Sequence, residues 1–407
     1  MKTPSGLARM ALVLLIALLA AACGGDGTAT TAEVATTEGT ETTGATETTA
    51  ATETTDTTAA TDTTAATDTT EATGELIPVT FALTNQRSIQ YHPFYVAEHL
   101  GYWEQEGLDV EIVIVSGSSA TVQQIVSGNV LIGNPSAPAT AQGVASGNCL
   151  REFYTYSHGN VFGLATPEDS GIESLEDLAG QTVGISEPGG GEVPLVRAMM
   201  ASVGLADGVD YQLAGIGEGG ALTFDALSQG RAQAYSSSVF DIASLEAAGL
   251  PLRQLMPDEY KYFPSLGLVV TCETYDTQQE VLVKFGRGLA KATVFSAAND
   301  DAAREIAASA EPELFEDEAL ASAFWDATLD LNAPPPDMGD EELLGSHYVA
   351  GWELYLDFAT QGTEEEGALP PDSVVVDELL SSDLLEEIND FDRAEVEAEA
   401  EEFAGVG

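Results

Sequence analysis

The chain has 407 residues: 67 are acidic, 13 basic, four are His, three are Cys, and 44% are hydrophobic. That length fits two domains. The apolar share is large enough for a core, which excludes disorder along the whole chain, and so few cysteines exclude a disulfide-built scaffold. A formal net charge of −54 excludes a nucleic-acid binder, which needs a basic face on the phosphate backbone, and makes anionic lipid headgroups equally poor partners.

Lys2 and Arg9 precede an unbroken small and apolar run over 10–22, ending at Cys23. The run is shorter than the ~20 residues of a membrane-spanning helix, so 1–22 reads as an export signal. The stretch Leu19-Ala20-Ala21-Ala22-Cys23-Gly24 resembles a bacterial lipoprotein signal, which implies lipidation at Cys23. Ordinary secretion with cleavage after a small residue is the other reading. Either puts the mature protein outside the cytoplasmic membrane. Residues 23–75 are predicted to be a disordered Thr/Ala/Glu-rich tether, since 24–75 holds 11 acidic residues and no basic or aromatic one and cannot bury enough apolar surface to order itself. The remaining 76–407 keep a net charge of −45, which reads as a solvated surface adapted to salt or solubility.

From there β-rich runs recur at 77–83, 110–115, 130–133, 152–156, 182–185, 211–216 and 266–271. Helical spacing fills 93–102, 120–127, 137–146, 193–203, 221–227 and 242–248. The alternation predicts an α/β fold of βαβ units on parallel sheets. After 271, helix follows helix. Thr277 with Glu280 reads as a capping box, and Val281, Leu282, Phe285, Leu289, Ala292 and Phe295 as one apolar stripe. The pattern restarts near Thr166. It predicts a second lobe, 166–263, inserted into a first lobe made of 76–165 and 264–407 with C-terminal helices. Two crossovers between lobes are hinge anatomy.

The stretch from Phe94 to Val110, FYVAEHLGYWEQEGLDV, resembles the hallmark of the SsuA/THI5-like (NMT1) family of ABC-transporter substrate-binding proteins. IVSGN at 125–129, LEDLAGQTVGI at 175–185 and ALSQGRAQA at 226–234 are similar to further family segments in the same order. The resemblance implies a periplasmic-binding-protein type II fold, two α/β lobes with a hinge and a cleft between them. It also implies capture of a small molecule for delivery to a membrane permease. One branch of that family makes a thiamine pyrimidine using a cysteine-rich motif. Here Cys149 and Cys272 stand far apart, which implies a non-enzymatic member. His-Glu-x-x-His, Cys-x-x-Cys and Gly-x-Ser-x-Gly are absent as well, and no metal or cofactor is expected from four scattered His.

In open parallel sheets ligands sit beyond the carboxyl ends of the strands. Five loops qualify: Asn85, Gln86 and Arg87 after the first strand; Ser116, Ser118 and Ser119 after the second; Asn134 and Ser136 after the third; Glu187, Gly189, Gly190 and Gly191 in the second lobe; and Ser237 and Ser238 after the crossing strand, with Asp241 following. Small polar residues at helix starts hold polar or anionic groups, or simply cap the helices. Arg87 is the sole basic residue between the signal and Arg151; it either pairs with a ligand anion or compensates acidic neighbours. Tyr91 and His92 either stack on a ligand ring or pack in the core, and Asp241 either binds an amine or ring N–H or supports a helix dipole. Cys149 and Cys272, being exported, either form a disulfide or stay as two buried thiols.

These readings favour an aromatic nitrogen heterocycle, such as a thiamine-precursor pyrimidine or riboflavin, as the solute. A sulfonate, taurine or nitrate-type anion is the alternative, and a sensory receptor subunit or secreted enzyme the alternative of another class. The expected partners are the small ligand and an ABC permease. The protein is expected to be a monomer, to contact the membrane only through its lipid anchor and to bind no nucleic acid.

Overall fold

Ile-Pro-Val-Thr-Phe-Ala-Leu forms β1 (Ile77–Leu83), whose last three residues are buried, as suits a strand flanked by two parallel neighbours. The computed structural model describes residues 75–84, 87–115, 117–188, 190–339, 343–361 and 369–406. The signal over 1–22, Cys23, the tether up to residue 74, Asn85, Gln86, Ser116 and Gly189 lie outside them. α1 (His92–His99) ends where Gly101 takes φ +66°, a left-handed conformation that side chains resist. Then come α2 (Tyr102–Gln105), β2 (Leu108–Ile114), α3 (Ser118–Val126), β3 (Ile132–Gly133), α4 (Ala137–Ala145) and β4 (Leu150–Thr155). The chain continues through β5 (Phe162–Pro167), β6 (Thr182–Ile185), α5 (Val193–Ser202), β7 (Gln212–Gly215) and α6 (Ala221–Ser228). β8 (Ala234–Ser238), α7 (Val239–Ala247), β9 (Leu252–Gln254) and β10 (Gly267–Thr271) follow. The larger helices after that are α8 (Cys272–Thr277), α9 (Gln279–Ala298), α10 (Asp300–Ala310), α11 (Glu318–Asn332) and α12 (Val349–Ala359).

Two five-stranded sheets result, ordered β2-β1-β3-β10-β4 and β7-β6-β8-β5-β9. The first three strands of each run parallel. The fourth is antiparallel to its neighbours, β10 in the first sheet and β5 in the second. The parallel βαβ core is as the alternation predicts, and each sheet also accepts one strand that arrives from the other sheet and runs the opposite way. β5 and β9 have no counterpart in the sequence reading. β5 carries Gly163, whose bare Cα receives the Ile242 side chain of α7, so its pattern lacks the usual bulky alternation.

The first lobe's core is aromatic. Phe81 stacks on Phe94 at 5.0 Å and Trp103 on Phe285 at 5.1 Å, separations at which offset rings attract. Trp103 Nε1–H also donates to the Phe285 carbonyl (3.1 Å), and its indole lies where a side chain on Gly288 would project. The six-residue stripe of α9 is buried as its spacing predicts. The capping box is not formed. Thr277 still belongs to α8, so its hydroxyl donates back to the Glu273 carbonyl (2.6 Å), while Glu280 pairs with Lys284 (2.7 Å).

The chain passes between the sheets at 156–161 and 255–266. The two passages are laced together: Asn160 N–H donates to the Lys261 carbonyl (2.8 Å), its side-chain amide to the Tyr260 carbonyl (3.1 Å), and Tyr156 N–H to the Leu266 carbonyl (2.9 Å). At the other end of the β4–β10 pair, away from the passages, Cys149 and Cys272 are joined in a disulfide, with Cα atoms 5.4 Å apart. No helix among the described residues is long and apolar enough to cross a membrane.

Candidate functional site

The carboxyl ends of β1 and β3 meet at a buried side-chain bridge. Thr84 N–H donates to Asn134 Oδ1 (3.1 Å) and its hydroxyl to the Asn134 carbonyl (2.9 Å). Asn134 is fully buried, and its Nδ2 has no hydrogen-bond partner among the described residues. Beside it Ser136 N–H donates to Ser118 Oγ (3.1 Å), tying the loop after β3 to the start of α3. Gly117, at φ +94°, leads into α3 and has no side chain with which to cap it, so the first-turn N–H groups of α3 keep their affinity for an acceptor. α4 differs: Ala137 N–H already donates to the Ser265 carbonyl (2.7 Å), and Pro138 has no N–H.

In the second lobe the corresponding loops end on carboxylates. Glu192 is 2% exposed, and its Oε1 accepts both Ser186 N–H (2.8 Å) and the Ser186 hydroxyl (2.6 Å). The carboxylate folds over Gly190, where a side chain would collide with it, and Gly191 leaves room for the Phe162 ring. Glu187 stays exposed. Ser237 and Ser238 both donate to Asp241 Oδ2 (2.5 and 2.9 Å), and Ser238 Oγ accepts Asp241 N–H (3.1 Å), a capped start for α7. Tyr235 holds the loop above, accepting Gly219 N–H (3.0 Å) and donating to the Gly217 carbonyl (2.7 Å). Burial pushes its hydroxyl up to about 12, so it stays a neutral donor.

Two cavities open at these strand ends. One, of about 590 Å³, is lined by Gly117, Ser118, Ser119 and the start of α4. The other, of about 930 Å³, is lined from the first lobe by Ser136 and from the second by Gly191 and Phe162, with Asn160, Phe263 and Ser265 of the two passages between them. Ser136, Pro138 and Gln142 line both. The charged side chains lining the larger cavity are Arg197 and Asp207, which pair with each other at 3.1 Å.

Of the residues singled out in the sequence, Ser118, Ser119, Ser136 and Gly191 line these cavities. Asn134, Glu187, Gly190, Ser237, Ser238 and Asp241 line neither. Arg87 is held by Glu98 (3.3 Å) and Glu311 (3.4 Å), with its guanidinium 5.4 Å from the Tyr95 ring centre. Tyr91 is buried against Tyr156 and Phe94. His92 is buried 4.3 Å from Trp325, and burial pushes its imidazole down to about 4. These three lie in or on the helical layer of the first lobe and line neither cavity. Sequence reasoning missed Glu192, Asn160, Phe162 and Ser265. A Glu directly after the Gly run was the available signal for the first; the others sit in segments with no periodicity to mark them. No group of three or more His, Cys, Asp or Glu side chains among the described residues is arranged to hold a metal.

A family model described as NMT1/THI5 like matches residues 88–303. A 4-amino-5-hydroxymethyl-2-methylpyrimidine phosphate synthase of Schizosaccharomyces pombe is 32% identical over 107 residues, which are 26% of this chain and only 31% of that enzyme. Among solved structures, a protein from Bordetella bronchiseptica RB50 matches at 22% identity and TM-score 0.56, over 77% of this chain and 98% of its own. The alkanesulfonate-binding protein SsuA from Xanthomonas axonopodis pv. citri, bound to MOPS, matches at 13% identity and TM-score 0.54, over 76% and 99%. At these identities the likeness shows the fold, that of the periplasmic binding proteins.

Proposed function

The chain belongs to the NMT1/THI5 like family, and on that premise we propose that it is an extracytoplasmic solute-binding protein, tethered through a lipid on Cys23, that hands a small organic molecule to an ABC importer. The observation that carries this reading is the cavity of about 930 Å³ to which Ser136 of one lobe and Gly191 of the other both contribute, between two laced passages of chain. Closing the lobes about those passages (156–161 and 255–266) would bury the solute, the usual hinge mechanism. The work is capture, hydrogen bonding and release, with no bond in the solute broken.

An aromatic nitrogen heterocycle is the favoured solute. Phe162, Phe263, Tyr355 and Phe358 supply ring faces and edges around the cavity, and the charged pair in its lining is already neutralised. A sulfonate-type anion is the second reading, supported by the uncapped first turn of α3 beside the smaller cavity. Thermal-shift titration with the aminopyrimidine, riboflavin, an alkanesulfonate and nitrate separates them. The bound class adds ~2.7 kcal/mol at 100 times its dissociation constant, and mass spectrometry recovers it unchanged. A converted product would restore the enzyme reading, and stabilisation by nitrate alone would reverse the preference for a heterocycle.

A further inference from the structure

A compact ion or a single six-membered ring leaves most of the cavity empty: at about 930 Å³ it sits near the top of the range that drug-sized ligands fill. Nor does it end at the strand-end loops. It runs on between α5 and α12, with Leu195, Ala198 and Ala201 on one side and Tyr355 and Phe358 on the other. α5 turns Val196, Met199 and Met200 into the core, and leaves this smaller flank toward α12. At the loop end lies Ser265, 3% exposed, whose carbonyl accepts Ala137 N–H (2.7 Å) while its hydroxyl has no partner among the described residues. Buried hydroxyls are almost always hydrogen-bonded, and this one lines the same cavity. A channel lined mainly by apolar side chains, its one charged pair (Arg197 and Asp207) closed on itself and one unsatisfied polar group at its head, is the pattern of a site for a two-part ligand.

We propose that the solute is amphiphilic: a polar head among Ser136, Gly191 and Ser265, and an apolar arm lying between α5 and α12. The inference rests on the cleft being the solute site and adds to it the class of solute, larger and less polar than a lone ring or a small anion.

The test is calorimetric titration of two homologous series, alkane-1-sulfonates and 5-alkyl-4-aminopyrimidines with chains of two to eight carbons. In the series whose head is accepted, the dissociation constant falls about fourfold per added methylene. Ala201→Phe, on the exposed flank of α5, weakens the eight-carbon member at least tenfold and leaves the two-carbon member unchanged, which also certifies the fold. Ser265→Ala weakens every member by the same factor, about fivefold. If two-carbon members bind but length brings no gain, the amphiphile inference falls and solute binding stands. A gain that survives Ala201→Phe puts the arm elsewhere and overturns the inference. Failure of every member of both series overturns it together with the reading beneath it.

Discussion

In the first lobe the strand-end loops are fastened to one another: Thr84 to Asn134, Ser136 to Ser118. What remains outward are backbone donors at the start of α3. In the second lobe, built on the same strand order, the loops are fastened to carboxylates, Ser186 to Glu192 and Ser237 with Ser238 to Asp241. What remains near them is negative charge. One topology therefore yields a donor-rich half and an acceptor-rich half.

The largest break in that comparison comes from the disulfide, which joins the outer ends of β4 and β10 in the first lobe and has no counterpart in the second among the described residues. Replacing both Cys149 and Cys272 with Ala removes a crosslink spanning 123 residues and is expected to cost about 3–5 kcal/mol in denaturant unfolding. Acid comes next and acts on the first lobe. His92 titrates near 4 when folded, against 6.5 for an unperturbed imidazole, because burial disfavours its charge. Protonation therefore favours the unfolded chain: the contribution is intact above pH 6.5 and is lost as pH falls toward 4, up to about 3 kcal/mol. Urea unfolding followed by tryptophan fluorescence should show a shallower loss between pH 7 and 4.5 in His92→Leu than in the wild type.

Glu192→Ala strips the second lobe of a buried carboxylate and leaves the Ser186 N–H and hydroxyl unpaired, for about 2 kcal/mol. Glu192→Gln should recover part of that loss, and equal losses in both variants would remove the special role given to the carboxylate. Arg87→Ala is the smallest change. Its two ion pairs lie at the surface, so a loss of under about 1 kcal/mol is expected, with solute affinity unchanged by calorimetry.

Elements whose causes are local were legible in the sequence. The α9 stripe follows from spacing alone. What could not be read depends on partners distant along the chain. Arg87 follows β1 and so looked like a ligand cation, but Glu98 and Glu311 reach it from α1 and from the end of α10. β5 carries Gly163 and ends on Pro167, and is a strand because β8 and β9 flank it on both sides. The Gly run was legible as a strand-end loop, whereas the Glu192 carboxylate closing back on Ser186 appears only once that loop is folded. Ser265 carries no pattern at all; its importance comes from the cavity around it.

The Cys149–Cys272 bond closes a covalent ring holding residues 150–271, hence every strand of the second sheet. A protease that nicks any exposed turn inside the ring opens the circle without releasing a fragment. The cut molecule keeps both halves of its cleft on one covalent body until a reductant arrives.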